Sequence, residues 1–464
     1  MKEPCMVIRP DSDKPLYEQI YSFIRDEIKN GKLLPGNKIP STRALSRFLT
    51  VSRSTVELSY AQLISEGYID SKPGSGYFVA EIDGICDIHF QKDVKTKEKA
   101  REPLWRFDLS PNGVDNTSFP YAAFRKISRE ILSTDNPDLF AMGEAFGDWT
   151  LRREISEYLR QARGVLAGPE NIVVGAGNDY LLMLLRRVLC ESRRVAFENP
   201  TYIQAKNILE GLGCTIKSVL PDASGIPLSG LRESGADMVY VMPSHQFPLG
   251  YVMPLKRRLA LLSWAKEKKG RYIIEDDYDS EFRYRGKPIP ALKAYDSAGK
   301  VIYLGTFSKS IAPSMRVSYM VLPDNLVEPF QKENGYLSNT VSRLDQKIIE
   351  KFLSEGYYER HLNRMRALYK GRHDTLLEAL APLKQRGYQV SGENAGVHML
   401  LSSPNEKSEE ELIERAMEKG IFLKGLSAYG TGEDTTPGRT VLIGYAHMEE
   451  KNIRQAVEIL NQIW

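Results

Sequence analysis

The amino-acid sequence predicts an α/β protein in two parts: a small helical domain ending in a hairpin, and a large domain built on a mainly parallel sheet. Residues 14–80 hold short amphipathic helical segments followed by a glycine-rich hairpin. Residues 105–464 hold apolar strand-like runs that alternate with amphipathic helices, which is typical of a parallel sheet covered on both faces. Residues 81–104 lack apolar periodicity and are predicted to form a solvated linker.

The composition of the 464-residue chain narrows the class of protein. Its net charge of +3 means that any nucleic-acid surface must be local rather than spread over the whole chain. The four cysteines and six histidines are scattered without metal-ligand spacing, so we predict no metal site and a reduced, intracellular setting. The N-terminus lacks an apolar signal core, and no uncharged apolar run approaches the length that spans a bilayer. We therefore expect a cytoplasmic protein without a membrane contact.

The N-terminal part is predicted to hold three helices and a hairpin. Apolar residues at helical spacing from Leu16 onward indicate a first helix that ends at Asn30-Gly31. Ser41 and Ser52 stand where each can cap a further helix. Residues 68–79 alternate between apolar and polar side chains around a Pro-Gly turn, so they are predicted to pair as a hairpin.

The second and third of these helices carry a local basic surface. The segment 38–56 contains four cations and no acid, and the third helix begins Arg53-Ser54-Thr55. In a helix-turn-helix, the N-terminal residues of the second motif helix meet base edges in the major groove. Arginine suits guanine edges or phosphates, and short hydroxyls suit either. The alternative is a small helical domain whose basic face is merely solvated.

The stretch LPGNKIPSTRALSRFLTVSRSTVELSYAQLISEGYIDSKPGSGYFV strongly resembles the winged helix-turn-helix of the GntR family. Its Pro-Ser-x-Arg, Val-Ser-Arg-x-Thr and Gly-x-Gly-x-Phe-Val features are specific to that family. The resemblance implies that the domain binds a double-stranded DNA operator. The residues that it implies at the DNA are Arg43, Arg53, Ser54, Thr55, Gly74, Ser75 and Gly76.

In the large domain, a lysine follows a predicted strand at the edge where a parallel sheet binds ligands. Lys309 comes shortly after the apolar run Val301–Leu304. A lysine can form a Schiff base with an aldehyde cofactor. Thr306 and Ser308 offer hydroxyls to a phosphate, and Arg316 offers a bidentate fork. Taken alone, such a Ser-Lys pair is usually an ordinary surface dipeptide.

Acidic, aromatic and glycine residues follow other predicted strands. Asp276 ends an apolar run and can pair with a protonated pyridine nitrogen, while Tyr278 can reach a ring oxygen. The alternative for this acidic segment is a metal site or a solvated turn. The run 175–179, Gly-Ala-Gly-Asn-Asp, opens a helix and offers backbone amides to a phosphate. Tyr202 follows a further strand and could lie over a planar ring.

Occurring in this order, these segments closely resemble the fold type I pyridoxal-phosphate (PLP) enzymes of the aminotransferase class. The resemblance implies a large, mainly parallel sheet domain with a smaller C-terminal α+β subdomain. It implies that Lys309 forms the internal aldimine with PLP, that Asp276 contacts the pyridinium, that Tyr278 contacts the ring oxygen and that Tyr202 stacks on the ring. The phosphate cup that it implies consists of Ala176, Gly177, Asn178, Thr306, Ser308 and Arg316.

Two further segments resemble the corresponding aminotransferase segments less closely. Residues 243–250 stand in the place of the aminotransferase Asn-Pro-x-Gly turn, so either His245 or Gln246 is expected to approach the ring. Residues 438–445 resemble the segment whose arginine grips the substrate carboxylate, which implies that role for Arg439.

The sequence also departs from related chains at two positions. Met142 stands where a tyrosine often reaches a phosphate across a dimer interface, and methionine cannot make that hydrogen bond. Gln204 stands where γ-aminobutyrate-sensing relatives have an arginine, which argues against γ-aminobutyrate as the ligand.

A GntR-type domain joined to a fold type I domain resembles the MocR (GabR-like) subfamily of transcription regulators. The resemblance implies a homodimer that senses an amine, an amino acid or a PLP vitamer through aldimine chemistry at Lys309. One alternative is a catalytically active PLP-dependent aminotransferase with an accessory DNA-binding domain. Another is a purely DNA-binding protein that has lost the cofactor.

Overall fold

A computed structural model describes Met6 and residues 14–81, 105–111, 113–133, 135–189, 193–284, 289–404, 407–430 and 438–464. The chain divides into two compact units, Met1–Glu102 and Pro103–Trp464. Apart from Glu81 at its start, the predicted linker at 81–104 lies outside the described residues.

The N-terminal unit consists of three helices and a small antiparallel sheet. The helices are α1 (Leu16–Lys29), α2 (Thr42–Leu49) and α3 (Arg53–Ser65), and the strands are β1 (Lys38–Ile39), β2 (Ile69–Lys72) and β3 (Gly76–Val79). The sheet order is β1-β3-β2. The predicted helices and hairpin are therefore confirmed. The two-residue strand β1 was not predicted, because it is too short to show alternation.

Serine caps set where the second and third helices begin. Ser41 Oγ accepts a hydrogen bond from Ala44 N at 3.2 Å, and Ser52 Oγ accepts one from Thr55 N at 3.1 Å. Each serine thereby satisfies a backbone donor that the first helical turn leaves without a partner. The apolar faces of the three helices then pack into one core that includes Ile20, Ile24, Leu45, Val56, Tyr60 and Leu63.

The C-terminal unit is built on a seven-stranded sheet. Its strands are β5 (Ile172–Gly175), β6 (Arg194–Glu198), β7 (Thr215–Val219), β8 (Met238–Val241), β9 (Tyr272–Asp277), β10 (Val301–Thr306) and β11 (Ser318–Val321). Their order is β5-β11-β10-β9-β8-β6-β7. All neighbours run parallel except β11, which is antiparallel to both β5 and β10. The predicted mainly parallel sheet is confirmed.

Helices cover both faces of this sheet, so the strands are buried on both sides. They are α4 (Tyr121–Leu132), α5 (Trp149–Arg163), α6 (Asn178–Leu189), α7 (Ile203–Gly211), α8 (Leu228–Glu233), α9 (Leu255–Lys266), α10 (Asp324–Asn334) and α11 (Arg343–Ser354). Ile302 and Leu304 of β10 pack on one face with residues of α6, α7 and α10, while Tyr303 packs on the other face with residues of α4, α5 and α11. No helix of the described residues is both long and apolar enough to cross a membrane.

A smaller four-stranded sheet lies toward the C-terminus of the same unit. Its strands are β12 (Gln389–Ser391), β13 (His398–Ser402), β15 (Lys424–Gly425) and β16 (Thr440–Gly444), in the antiparallel order β12-β13-β16-β15. The accompanying helices are α12 (Tyr357–Ala379), α13 (Ala381–Gln385), α14 (Glu409–Glu418) and α15 (Glu450–Ile463). A parallel pair joins β4 (Phe107–Asp108) to β14 (Ile421–Phe422). This is the smaller α+β subdomain that the sequence resemblance implied.

Candidate functional site

The carboxyl ends of β5, β9 and β10 meet at a cavity of about 220 Å³. Such an edge of an α/β sheet is where ligands usually bind. The structure brings nine of the residues proposed for cofactor contact to this cavity. They are Gly177, Asn178, Tyr202, Asp276, Tyr278, Thr306, Ser308, Lys309 and Arg316.

Lys309 follows β10 and lines the cavity. Burial lowers the pKa of its ammonium group, and the negative charge of Asp279 opposes that effect. Desolvation favours the neutral form of an amine. The surroundings of Lys309 therefore increase the fraction of neutral amine, which is the form that attacks a carbonyl carbon.

Asp276 lies near the carboxyl end of β9 and is almost fully buried, with 3% of its surface exposed. Its carboxylate accepts a hydrogen bond from Asn178 Nδ2 at 3.2 Å and another from the Tyr240 hydroxyl. Burial raises the pKa of Asp276 to about 7. A cationic nitrogen in the cavity would offset this burial cost and hold the carboxyl in its ionised form. Tyr240 is a partner that sequence reasoning missed, since it lies mid-strand without a motif.

Gly177, Asn178, Ser308 and Arg316 form a concave, donor-rich end of the cavity. Gly177 has a φ of +97°, and a Cβ at this position would overlap the Arg316 guanidinium, so the close approach requires glycine. The Arg316 Nη2 lies 3.3 Å from Asp179 Oδ2 at the same end. Ser308 Oγ and Asn178 Oδ1 are buried and have no hydrogen-bonding partner within the part of the chain that the structure describes.

Tyr278 is linked to a buried histidine–aspartate pair beside the cavity. The Tyr278 hydroxyl lies 3.0 Å from His245 Nδ1, which is also 2.8 Å from Asp279 Oδ2. His245 and Asp279 are each only 1% exposed. The Tyr278 hydroxyl and a buried carboxylate therefore meet at the same nitrogen of the imidazole, which does not itself line the cavity.

The structure does not bring Gln246 or Ala176 to the cavity wall either. The Gln246 side chain donates to Pro200 O at 3.0 Å and accepts from Leu249 N at 2.8 Å, so backbone groups use both ends of its amide. Ala176 N donates instead to Thr340 Oγ1 at 3.0 Å. Phe247 is the residue of this turn that lines the cavity, and the expectation that His245 or Gln246 touches the ring stays a prediction.

Arg439 is not among the described residues that line the cavity, and its grip on a substrate carboxylate stays a prediction. It is exposed, and it directly precedes β16. Successive side chains of a strand point to opposite faces. Val441 and Ile443 belong to the apolar cluster on the helix-covered side of β16, whereas Leu442 packs in the cluster that contains Phe247.

The carboxylates on either side of Asp276 each have their own hydrogen-bonding or ion-pair partners, and they do not meet at one shared site. Glu275 accepts hydrogen bonds from Leu292 N and Lys293 N at 2.7 and 2.8 Å. Asp277 pairs with Arg163 at 2.7 Å, and the Arg163 guanidinium lowers the pKa of this buried carboxyl. These contacts point the neighbouring carboxylates in different directions, which disfavours the metal-site alternative.

Several residues of the cavity carried no sequence signal. His398 lies in β13, far along the chain from Lys309, and donates from Nε2 to Pro248 O at 2.9 Å. Burial, together with the neighbouring His245, lowers the pKa of His398 to about 3, so its ring is neutral. Met242 and Ser318 likewise line the cavity from strand ends without a motif. Asp179, beside Asn178 in the glycine-rich turn, could have been found from its position.

The two positions at which the sequence departs from its relatives lie in different surroundings. Gln204 is exposed and lines the cavity. Met142 is 83% exposed and lies outside that cavity, close to the exposed Phe140.

The cavity residues fit PLP. The buried Ser308 hydroxyl, which can donate, and the glycine-dependent approach of Arg316 suit a phosphate group. Asp276 suits a pyridinium nitrogen, and Lys309, whose ammonium pKa is lowered by burial, suits an aldehyde. These matches come from side chains on three separate chain segments.

In the N-terminal unit, most residues proposed for DNA contact are exposed. Arg43, Arg53 and Ser54 are exposed on α2 and α3, and Arg53 Nε lies 2.8 Å from Glu57 Oε1. Thr55 is half-buried, and its hydroxyl lies 2.7 Å from Ser52 Oγ at the start of α3. The hairpin tip Gly74–Gly76 has positive φ at both glycines, with Ser75 exposed between them.

Two family models match the chain. Residues 16–79 match bacterial regulatory proteins of the gntR family, and residues 111–460 match aminotransferase class I and II. The solved structure of a kynurenine aminotransferase from Pyrococcus horikoshii is similar, with a TM-score of 0.69 and 26% identity, covering 77% of this chain and 90% of that one. A multiple substrate aminotransferase from Thermococcus profundus has the same TM-score and identity, covering 81% and 95%.

Full-length relatives share both domains. The uncharacterised HTH-type transcriptional regulator YdeL of Bacillus subtilis is 38% identical, with 97% of each chain covered. The pyridoxine biosynthesis regulator PdxR of Corynebacterium glutamicum is 32% identical, with 97% of this chain and 96% of PdxR covered. The probable rhizopine catabolism regulatory protein MocR of Rhizobium meliloti is 30% identical, with 98% and 95% covered. The chain belongs to the MocR/GabR subfamily of GntR transcription regulators, in which a DNA-binding helix-turn-helix is joined to a fold type I aminotransferase-like domain.

Proposed function

We propose that this chain is a PLP-dependent transcription regulator. Its N-terminal domain binds an operator in double-stranded DNA, and its C-terminal domain holds PLP on Lys309 and senses an amine, an amino acid or a PLP vitamer. The observation that carries the proposal is the convergence of Lys309, Asp276 and the buried Ser308 hydroxyl on one cavity.

The residues of the cavity have distinct roles in this proposal. When bound, PLP supplies an aldehyde carbon and an electron-withdrawing pyridine ring. Lys309 is the amine that attaches to the aldehyde, and Asp276 holds a proton on the ring nitrogen. Tyr278 is the hydroxyl for the ring oxygen, while His245 and Asp279 hold Tyr278 in place from behind.

The N-terminal domain reads DNA through the start of α3 and the tip of the hairpin. Arg53 and Ser54 project from the first turn of α3, where a helix of this motif meets base edges. The glycines of the tip allow its backbone to approach phosphates. A ligand shifts operator binding only to the extent that it binds one arrangement of the protein better than another.

We further propose that the regulator is a homodimer. Phe140 and Met142 are 76% and 83% exposed, and large apolar side chains exposed together are typical of contact surfaces. Sedimentation of the wild-type chain and of Met142→Glu tests this. We expect a dimer whose dissociation constant rises in the variant, and a monomeric wild type would contradict it.

Cofactor attachment is tested on the PLP-loaded full chain. Wild type should show a visible absorption band, and borohydride reduction followed by peptide mapping should place PLP on Lys309. Lys309→Ala should lose both signals, while Lys332→Ala, which changes an exposed lysine, should keep them. Reduction of PLP onto a different lysine would overturn the assignment.

DNA recognition is tested with operator fragments selected by the protein from a random library. Arg53→Ala should weaken binding in fluorescence anisotropy without changing the cofactor band. Arg53→Lys keeps the charge but loses the planar fork, so it should retain binding to non-specific DNA while losing preference for the selected sequence. Loss of the cofactor band in either variant would indicate misfolding instead.

A second candidate function is a working PLP-dependent aminotransferase with an accessory DNA-binding domain. It is favoured by the similarity to solved aminotransferases and by the presence of the residues that hold a reactive cofactor. Incubation with several amino donors and a keto acid separates the two. Repeated turnover at rates typical of enzymes would favour the aminotransferase, and a spectral change without turnover would favour the regulator.

A further inference from the structure

The residue that follows Lys309 is held by two side chains of α12. Ser310 is buried, as are Tyr358 and His361 in the first turns of that helix. The Tyr358 hydroxyl donates to Ser310 Oγ at 2.9 Å, and His361 Nε2 donates to the carbonyl oxygen of Ser310 at 2.8 Å. Both the side chain and the backbone of the residue next to Lys309 are therefore bonded to α12.

Apolar contacts join the same two segments. Phe307 and Ile311, which stand on either side of Lys309 in the chain, pack in one cluster with Tyr358. The ring centroids of Phe307 and Tyr358 lie 5.5 Å apart. Because side chains in such clusters are closely packed, a shift of the backbone at Lys309 displaces the start of α12 as well.

Farther along, α12 holds a segment near the start of the C-terminal unit. This entry segment consists of residues 107–111 and 113–118, and in the sequence it comes soon after the boundary between the two units. The Tyr369 hydroxyl accepts a hydrogen bond from Asp115 N at 3.2 Å, and Arg372 Nη2 lies 3.0 Å from Asp115 Oδ2. All three residues are buried.

The entry segment also has contacts of its own with the cavity and with the small sheet. Asp115 Oδ1 accepts a hydrogen bond from Thr117 N at 2.9 Å, which fixes the turn held by α12. Leu109 O accepts one from Gly444 N at 2.7 Å, and Pro111 lines the cavity. The entry segment therefore runs from the small sheet, past the cavity, to α12.

Between its two sets of contacts α12 is an uninterrupted helix. Tyr358 and Tyr369 are eleven residues apart, which corresponds to about 16 Å along the helix axis. The residues from 358 to 369 include no proline or glycine, which are common causes of a kink. A displacement at one end of this stretch is thus carried to the other end.

We propose that α12 transmits the attachment of Lys309 to the entry segment, and thereby to the linker that joins the DNA-binding domain. This rests on the proposed function, since it presupposes PLP on Lys309. While Nζ is bonded to the cofactor, the backbone at Lys309 is fixed from the cavity and from α12, and release of Nζ removes the first constraint. Tyr358 and His361 are positioning residues that act through Ser310.

The test releases Lys309 with methoxyamine in the PLP-loaded full chain. The nitrogen of methoxyamine bonds to the cofactor carbon while the bond from that carbon to Lys309 Nζ breaks. The two hydrogens on the methoxyamine nitrogen pass to Nζ, so Lys309 leaves as a neutral amine. No oxidant, reductant or water is consumed, and the visible absorption band reports completion.

Two measurements on the wild type follow this release. The operator dissociation constant, measured by fluorescence anisotropy, should change about fivefold or more. Amide hydrogen exchange in peptides from residues 113–118 should change too, because Asp115 is held by α12.

Single hydroxyl groups at each end of α12 test the route. Tyr358→Phe removes the donor to Ser310, and Tyr369→Phe removes the acceptor for Asp115 N. Each should reduce the methoxyamine-induced change in the operator dissociation constant about twofold or more. Tyr357→Phe is the matched control on the same helix, because its hydroxyl contacts Lys126 Nζ at 3.0 Å, and it should keep the wild-type change.

Replacement of His361 separates positioning from general stability. His361→Phe removes the donor to Ser310 O and should reduce the change, whereas His361→Gln should restore it, because the amide nitrogen of glutamine can donate in the same direction. A loss of stability alone would affect operator binding equally before and after methoxyamine, and so would leave their ratio unchanged.

The outcomes separate this inference from the proposed function. An operator dissociation constant that stays constant while methoxyamine shifts the cofactor band overturns the inference, and cofactor attachment stands. A full change in both Tyr358→Phe and Tyr369→Phe also overturns it. Where a variant does not fold, unchanged amide exchange at 113–118 in the wild type overturns it instead. Absence of any cofactor band in the wild type overturns the proposed function itself.

Discussion

Replacing Asp276 by asparagine should stabilise the protein without its cofactor and weaken its hold on the cofactor. Asp276 is 3% exposed, and burial raises its pKa from the ordinary 3.8 to about 7. Asparagine keeps the local hydrogen bonds, because its oxygen can accept from Asn178 and its amide can donate to the Tyr240 oxygen. The substitution therefore removes the buried charge with little change in shape.

The raised pKa of Asp276 determines how much the stabilities of wild type and Asp276→Asn differ, and which of the two is more stable. Each pKa unit corresponds to about 1.4 kcal/mol, so ionising Asp276 at pH 8 costs the cofactor-free fold about 4 kcal/mol. Between pH 3.8 and about 7 the folded carboxyl binds more protons than the unfolded one, so stability falls as the pH rises through this window. At pH 5 only about a third of this ionisation cost is present. The excess stability of Asp276→Asn over wild type should therefore grow by about 3 kcal/mol between pH 5 and pH 8.

Urea unfolding of the cofactor-free chain at both pH values measures this difference. Glu418→Gln, which changes an exposed carboxylate, is the control and should follow wild type at both pH values. Adding PLP should stabilise wild type more than Asp276→Asn, because an amide does not hold a proton on the ring nitrogen. A difference between wild type and Asp276→Asn that is the same at pH 5 and pH 8 would refute the reasoning.

Three other substitutions test separate parts of the structure. Arg163→Met leaves the buried Asp277 carboxylate without its ion-pair partner, and should lower the free energy of unfolding by about 3–5 kcal/mol in urea titration. Gly177→Ala forces a Cβ into the Arg316 guanidinium, so the PLP dissociation constant measured by absorbance should rise about tenfold or more while circular dichroism is unchanged. Ser52→Ala removes the cap of α3 and should destabilise the N-terminal domain by about 1 kcal/mol, seen as earlier loss of amide-exchange protection there.

The sequence by itself determined the elements and much of the cofactor site. Ser41 and Ser52 predicted where helices begin, because a cap acts on a backbone donor only three residues away. Lys309 and Asp276 could be identified because each follows an apolar run that becomes a strand, and the carboxyl ends of parallel strands meet at one edge. In each case all the residues on which the prediction depends lie within one short segment of the chain.

Only the tertiary structure decided which side chains line the cavity and which instead contact the side chains that line it. His398 reaches the cavity from a separate sheet, and Tyr240 reaches Asp276 from a neighbouring strand. His245 lies behind Tyr278 instead of at the cavity wall. Within β16, Leu442 packs in the cluster that contains Phe247, while Val441 and Ile443 pack in the other cluster, because a strand turns successive side chains to opposite faces. Register and face are set by pairing between distant segments, and no local pattern encodes them.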